Sequence, residues 1–504
     1  MFAQNWPQAA GPEGSWATRG PAPVDRWSVA RSKNIVWRTP LPNGGQSGIA
    51  VWGDRLFLTT FAEGEKGFSA KILGLAVDAK TGKILWRAAL DGVEKSPMLY
   101  AFSDSTTPTP ITDGKHVWFF NAGGSMGCWT IDGREVWRRS YKPWGAPFPF
   151  NKQHEPILAG GVILNVEPLD NNEKPGWNYL RAIDPMTSKT KWIAEDATTA
   201  YNTAVAARGA VLHGRGGWHD VPERPIGLSL SSLRDGKSMW RFVAGDGQTN
   251  APEWQALYIM HWDIRFAYWF GFDPEERHLV IDSATGKLVR EQSLIRNVDY
   301  RRWDGEKYVL HEGVNLRELR TMPAAYPLNA DEVMRVLPAW HTNIVVNGYH
   351  YFMTTSGHRR MRKPVKGRAG PAYCIGRVNI ETGKVEYLET PVAPGVYGKP
   401  VKTKTVNAAG VDVAAEERSR TDGYEIAAFF GSPIAVNDRV YFTNMLGVTY
   451  VIDSKAKVFD EKALLAVNDL GATGETWSLN SLAYSRGVLY HRSAKELVAI
   501  GAAK

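Results

Sequence analysis

Only two cysteines, Cys128 and Cys374, occur in 504 residues, and they lie far apart. That excludes a disulfide framework and any cysteine-rich zinc site, and it leaves the redox compartment open. No apolar run reaches the roughly 18 residues that a membrane-spanning helix needs. The opening "MFAQNWPQ" has no secretory signal sequence, and Ala3-Gln4 are read as the remnant of a removed one, with Met1 added. Acidic charge is in deficit, since 60 Lys and Arg against 52 Asp and Glu give a net charge of +8. Part of the excess sits in "RRMRKPVKGR", Arg359 to Arg368. That stretch reads first as a solvated loop and second as a holder of phosphate, sulfate or carboxylate groups. No module has the basic and aromatic spacing of a nucleic-acid-binding domain, so no nucleic-acid partner is expected.

What is abundant points to β-structure. The chain has 49 Gly, 29 Pro and 20 Trp, the composition of many turns and many aromatic anchors. Length alone suggests about three domains. The pattern says otherwise. "AVDAKTGKILW", Ala76 to Trp86, returns as "TIDGREVW" from Thr130, "AIDPMTSKTKW" from Ala182 and "SLSSLRDGKSMW" from Ser229. Further copies are "VIDSATGKLV" from Val280, "NIETGKVEY" from Asn379 and a degraded "VIDSKAKVF" from Val451. Each reads as an apolar strand, an Asp-capped turn with a Gly free to take positive φ, and a second strand carrying a large aromatic. A second motif precedes the copies, with two apolar strands about a tight turn, as in "SGIAVWGDRLFLTT" from Ser47 and "EPILAGGVILNV" from Glu155.

Together the motifs predict four antiparallel strands per unit of roughly 40–50 residues, the size of a propeller blade. Eight units are counted, the fifth over Glu253 to Val289. The eighth ends at "ELVAIG", Glu496 to Gly501, without an outer strand, while "NIVWRTPL", Asn34 to Leu41, is an outer strand with no unit of its own. The N-terminal strand is therefore expected to complete the last blade, 477–501, and close the ring, which removes an exposed edge. The expected fold is all-β, a single eight-bladed propeller over 1–504, with insertions at 141–153, 295–337 and 392–425.

The A-x-D-x-x-T-G-K-x-x-W pattern resembles the tryptophan-docking repeat of pyrroloquinoline-quinone (PQQ) dehydrogenases and of their non-enzymatic relatives, such as the propeller lipoprotein of the outer-membrane assembly machine. "NWPQAAGPEG" and "IVWRTPLPNGGQSGIAVWGDRLFLTT" look closer still to secreted PQQ-like repeat proteins, and the resemblance covers residues 5 to 501. It implies the eight-bladed fold and a periplasmic or extracellular location. Enzymes of the family carry adjacent cysteines over the cofactor, acidic and amide cation ligands and a catalytic Asp. Cys128 and Cys374 are isolated here, so PQQ is not expected, and Glu155 and Asn202 are the oxygen donors that could serve Ca²⁺.

Aligning the inner strands gives two columns expected at one mouth of the channel. The first holds Gln46, Pro108, His154, Tyr201, His341, Gly431 and Asn480; the second holds Ser47, Thr109, Glu155, Asn202, Thr342, Ser432 and Ser481. Their polarity suggests a lined funnel. His154 and His341 are the candidate catalytic acid–base residues, with a hydrogen-bonded rim role as the alternative. Gln46, Glu155, Tyr201, Asn202, Thr342, Arg359 and Asn480 are the candidate ligand-binding residues. Adjacent strand residues face opposite ways, so one of His154 and Glu155 should face the channel, and the histidine is expected to.

The 141–153 insertion is aromatic and proline-rich, and 295–337 suggests a short helix capped by Asn329 with Asp331 and Glu332 in its first turn. These insertions and Arg359 are expected to wall the mouth. The functional expectation is a monomeric binding scaffold without PQQ, its partner an acidic glycan or a protein. The alternatives are a carbohydrate-active lyase or hydrolase using the histidines, then a quinoprotein oxidoreductase.

Overall fold

The repeat owes its shape to one carboxylate. Asp78 Oδ1 accepts from the backbone N–H groups of Lys80 (3.0 Å) and Thr81 (2.8 Å) and from the Thr81 hydroxyl (2.9 Å), closing the turn before the chain re-enters the sheet. Asp184, Asp282 and Asn379 hold their turns the same way. The two turn N–H groups hold the Asp184 carboxyl at about 2, below the usual carboxylate range.

A computed structural model describes residues 5–65, 67, 70–93, 104–143, 154–170, 177–198, 203–215, 227–243, 260–271, 276–303, 306–316, 318, 337–356, 372–390, 404–413, 431–472 and 475–502. The strands form eight antiparallel blades of four. Blade 1 begins with the inner strand Ala50–Trp52 and ends with the outer strand Ile84–Leu90. Blades 2 to 5 begin at Ile111–Thr112, Ile157–Ala159, Val205–Ala207 and Met260–Trp262, and blades 6 to 8 at Leu337–Val346, Ile434–Val436 and Ala483–Ser485. The last blade is completed by the N-terminal strand Ile35–Pro40, antiparallel to Glu496–Ile500, with Arg38 opposite Val498. The bidentate pair of Arg38 with Glu496, 2.8 Å on both arms, fastens that closure.

Antiparallel alternation gives the ring two unlike faces. Turns between first and second strands, and between third and fourth, lie on one face and are tight, often with positive φ, as at Gly53, Gly209, Asn347 and Asn437. The longer connections lie on the other face.

Blades are joined by a repeated clasp. The indole N–H of Trp37 donates to Ala79 O (2.9 Å), Trp86 to Ile131 O (3.1 Å), Trp137 to Pro185 O (2.9 Å), Trp192 to Leu233 O (3.1 Å) and Trp240 to Ser283 O (2.7 Å). Every acceptor is the residue just after the turn-capping position of the next blade. The turn glycine is required twice over: Gly286 has φ +69, and a Cβ there would lie 2.8 Å from the Trp240 ring. In blade 5, where Arg290 replaces the tryptophan, its guanidinium donates to Ile380 O and to Glu381 O. In blade 6, Arg377 donates to Ala456 O (2.6 Å) and Lys457 O (3.1 Å). Blade 7 has no such residue, and the N-terminal arm fills that seam: Trp27, 3% exposed, lies 6.3 Å from Tyr441, and Arg26 donates to Leu465 O.

Two expectations for 295–337 need separate statements. Its described part is a hairpin, Val298–Trp303 with Tyr308–Val314, added in parallel to the outer strand Val385–Glu389. It therefore extends blade 6 outward and does not wall the channel, because the outer strand offers the blade's free edge. The helix expected at Asn329, Asp331 and Glu332 lies outside the described residues, as do 144–153 of the first insertion and most of 392–425.

Two measurements test this architecture. Deleting residues 1–42 removes the closing strand and the Trp27 seam, so the whole ring should melt at a clearly lower temperature; a truncated protein melting like the intact one would refute the closure. Trp137→Ala should cost about 3–5 kcal/mol in denaturant unfolding, the usual cost of removing a packed indole.

Candidate functional site

The inner strands converge on a funnel whose floor is the chain's own N-terminus. Trp6 exchanges two backbone hydrogen bonds with Val51 of blade 1 (2.9 and 2.7 Å), Thr112 N of blade 2 donates to Pro7 O (2.9 Å), and Leu158 N of blade 3 donates to Gln8 Oε1 (2.7 Å). The strand Ala17–Thr18 lies parallel to Ala435–Val436 of blade 7, and Tyr484 of blade 8 donates to Pro21 O (2.7 Å). Trp16 sits 6.4 Å from the His261 ring of blade 5. All these contacts fall at the tight-turn ends of the inner strands. The segment closes that end and is buried there, with Trp6 at 1% exposure.

Above this floor lies a cavity of about 60 Å³. Its walls carry Gly48, Thr109, Glu155, Thr203, Ser432 and Ser481, one from each of six blades, together with Gln46, Thr107, Leu479 and Asn480. A hoop of hydrogen bonds fixes this ring. Gly48 N donates to Thr109 Oγ1 (3.1 Å), Thr109 N to Glu155 Oε2 (2.7 Å) and Glu155 N to Thr203 Oγ1 (3.1 Å), so each side chain caps the preceding blade's amide. Glycine stands at 48 because a Cβ there would meet Thr109 Oγ1 at 2.3 Å.

The hoop corrects the column alignment by one residue in two blades. Gly48 and Thr203, not Ser47 and Asn202, stand level with Thr109 and Glu155; the bulkless Gly48 concealed the register. Of the candidate residues, Gln46, Glu155 and Asn480 line the cavity. His154 is buried, 5% exposed, and does not line it, so Glu155 takes the inward position that the histidine was expected to have. In blades 1 and 2 the lining residues Gln46 and Gly48, and Thr107 and Thr109, are two apart, as strand alternation requires, and Glu155 stands level with Gly48 and Thr109 through the hoop. His341 and Thr342 lie on the inner strand of blade 6. Tyr201, Asn202 and Arg359 lie outside the described residues. Among the described residues no group of three His, Cys, Asp or Glu is placed to hold a metal. The tryptophans of the floor were missed because "NWPQ" and "GSWATRG" belong to no repeat.

Histidines gather elsewhere, between blades 5 and 6. Gln292 Nε2 donates to His278 Nδ1, His278 Nε2 to His350 Nδ1 (2.9 Å), and His350 Nε2 to Asn343 Oδ1 (2.9 Å). Asn343 Oδ1 can only accept, and Gln292 Oε1 already accepts from Arg290, so the chain is consistent only with both imidazoles neutral. Burial pulls His278 down to about 3, with Arg290 adding to the effect, and lowers His350 well below the usual value. Burial likewise takes His261 to about 4, His213 to about 4 and His491 to about 3.

The geometry defines a β-propeller of eight blades with a funnel blind at its tight-turn end. Its repeats are PQQ-like, and residues 28–216 and 73–259 match the family model described as outer membrane protein assembly factor BamB. Among solved structures, a quinohemoprotein alcohol dehydrogenase from Comamonas testosteroni is 12% identical with a TM-score of 0.58, over 99% of this chain and 81% of its own. A europium-containing methanol dehydrogenase is 11% identical with a TM-score of 0.55, over 97% and 89%. BamB from Moraxella catarrhalis is 10% identical with a TM-score of 0.36, over 77% and 95%. At such identities the likeness to the two dehydrogenases is one of fold. Comparison with curated proteins gives no significant match.

The buried histidines set an acid limit. A folded value below the unfolded value of about 6.5 means that the unfolded chain binds protons the native state refuses, so stability falls as pH drops below about 6.5. Each histidine contributes up to about 1.4 kcal/mol per pH unit until its folded value is reached. Glu389 opposes them, since burial raises it to about 7 and its contribution grows as pH falls, but it is one group against five. The melting temperature should therefore drop between pH 7.5 and pH 5. An unchanged value would show that the histidines are not held neutral.

Proposed function

We propose that the chain is a periplasmic or extracellular PQQ-like propeller, a single monomeric unit over residues 1–504, that serves as a binding scaffold through its central funnel without PQQ. The observation carrying this reading is the blind cavity of about 60 Å³ floored by Trp6 and Trp16. Pockets that enclose a ligand of drug size occupy about 300–1,000 Å³, so this cavity, as the described residues form it, is too small for a tricyclic quinone. Cys128 and Cys374 support the same conclusion, being buried in blades 2 and 6 and unable to form an adjacent pair. The match to the BamB family model favours a protein partner. Long connections gathered on the open face would supply specificity around the funnel. The lyase or hydrolase alternative gains no support from His154, which lies off the cavity.

Incubation with PQQ and Ca²⁺ should give no dye-linked alcohol oxidation and no shift in melting temperature. Turnover above a cofactor-free blank would overturn this reading.

A further inference from the structure

We infer that the outer edge of the blade 6 hairpin, Tyr308 to His311, is a strand-addition site for an extended segment of a partner protein, apolar at alternate positions and carrying a carboxylate at its middle. The site is separate from the funnel, so it holds or fails apart from the reading above.

The other blades protect their edges. In blades 1 to 5, 7 and 8 the outer strand carries one extra residue against its neighbour, just before the position the clasp residue takes, as at Leu85, Val136 and Met239. Such a bulge twists the edge and breaks the row of backbone groups that another strand would pair with. The outer strand of blade 6, Val385–Glu389, runs without a shift from Val385 opposite Val378 to Glu389 opposite Cys374. Lacking the extra residue, its clasp position turns to the other face, and Tyr387 donates to Leu294 O of blade 5 (2.7 Å). Among the described residues this regular outer strand is the one that accepts a hairpin, with Asp299 to Arg301 added in parallel.

The hairpin moves the open edge outward and does not close it. Among the described residues Tyr308–Val314 pairs with Val298–Trp303 and with no other strand. From Tyr308 to His311 the pairing is regular, and the hairpin's own bulge lies beyond, at Glu312 and Gly313. Every second residue of this stretch therefore turns its N–H and C=O outward, a row that an extended backbone satisfies. Val309 and Leu310 are 36% and 41% exposed, where protected edges carry charge or proline. The platform is held in place: the Trp303 and Tyr308 rings are 5.0 Å apart, and Tyr308 and Tyr300 donate to the Glu389 carbonyl (2.7 Å) and carboxylate (2.8 Å). Little order is lost when a strand is added to it.

Charge selects the partner. Arg301 stands opposite Leu310 and Arg302 opposite Val309, one on each face of the sheet. Arg302 acts on Glu389, whereas Arg301 acts on Asp299, which already holds Lys384 (2.7 Å). Glu306 and Glu312 stand at the two ends of the stretch, so a partner carboxylate is favoured at its middle, beside Arg301.

Peptide-resolved hydrogen exchange on the full chain tests this with three capped heptapeptides. One alternates valine and threonine about a central glutamate, Val-Thr-Val-Glu-Val-Thr-Val; the second has lysine for the glutamate; the third has proline at its third and sixth residues, removing a donor from each alternate set. The acidic peptide should slow exchange over Tyr308 to His311, and the proline peptide should not. The lysine peptide should bind about two- to fivefold more weakly, the worth of one cross-strand charge pair, and Arg301→Glu should reverse that order. Leu310→Lys should abolish the protection while leaving the melting temperature unchanged, with Val309→Lys in its place if that variant does not fold. Binding that leaves these amides unprotected, equal protection by the proline peptide, or no binding by any peptide overturns the inference. Equal binding of the acidic and lysine peptides overturns the carboxylate. Dimerisation in sedimentation velocity that Leu310→Lys abolishes makes a second copy the occupant and overturns the partner protein.

Discussion

The ring depends on one hydrogen bond repeated around it, from an outer-strand side chain of one blade to the carbonyl after the turn of the next. A blade by itself is a small sheet with two apolar faces, and it is stable only when both are covered. The clasp sets the distance and angle at which neighbouring faces meet. It also explains two residues of the repeat together. The indole reaches the carbonyl only because the turn residue beneath it has no side chain, as Gly82 does under Trp37 and Gly236 under Trp192. Where the indole is lost, arginine supplies a donor with a longer reach: Arg290 from the outer strand of blade 5, and Arg377 from the third strand of blade 6 to carbonyls further along the turn of blade 7.

Continuity of the clasp leaves one weak seam, between blades 7 and 8, and the N-terminal segment serves it in three places. Trp27 fills the gap against Tyr441, Ile35–Pro40 completes the last blade, and residues 5–21 seal the channel. Closing the tight-turn end has a chemical consequence. A closed ring could have been a pore; here its tight-turn end is sealed by the N-terminal segment. The clasps and tight turns thus lie at the sealed end, with the hoop of Thr109, Glu155 and Thr203 above the floor.

Buried polar groups in this molecule are paired, some as neutral hydrogen-bond chains and some as ion pairs such as Arg181 with Glu167 (3.0 Å). The Gln292, His278, His350 and Asn343 chain satisfies each nitrogen while keeping both rings neutral. Glu389, beneath the added hairpin, accepts from Tyr300 (2.8 Å), and Tyr308 donates to its carbonyl (2.7 Å). The histidine chain thus ties blades 5 and 6 with neutral groups, the Glu389 contacts hold the added hairpin within blade 6, and blades 2 and 3 are joined by the buried pair of Arg139 with Glu167 (2.6 Å).

The blade count, the closing strand and the inter-blade role of the tryptophans were legible in the sequence because each rests on a local signal repeated many times. Alternation gives the strands, an Asp and a Gly at fixed spacing give the turn, and an outer strand without a unit at the start of the count, matched by a unit without an outer strand at its end, gives the closure. The polar rim was legible in outline, and Gln46, Glu155 and Asn480 came from it. Which of His154 and Glu155 turns inward was not, because a shift of one residue exchanges the two faces of a strand and Gly48 leaves no side chain to mark the register. Nor was the floor. Trp6 and Trp16 belong to a segment with no second copy, and its place is decided by backbone groups of blades 1, 2, 3 and 7 that come together only once the ring has closed.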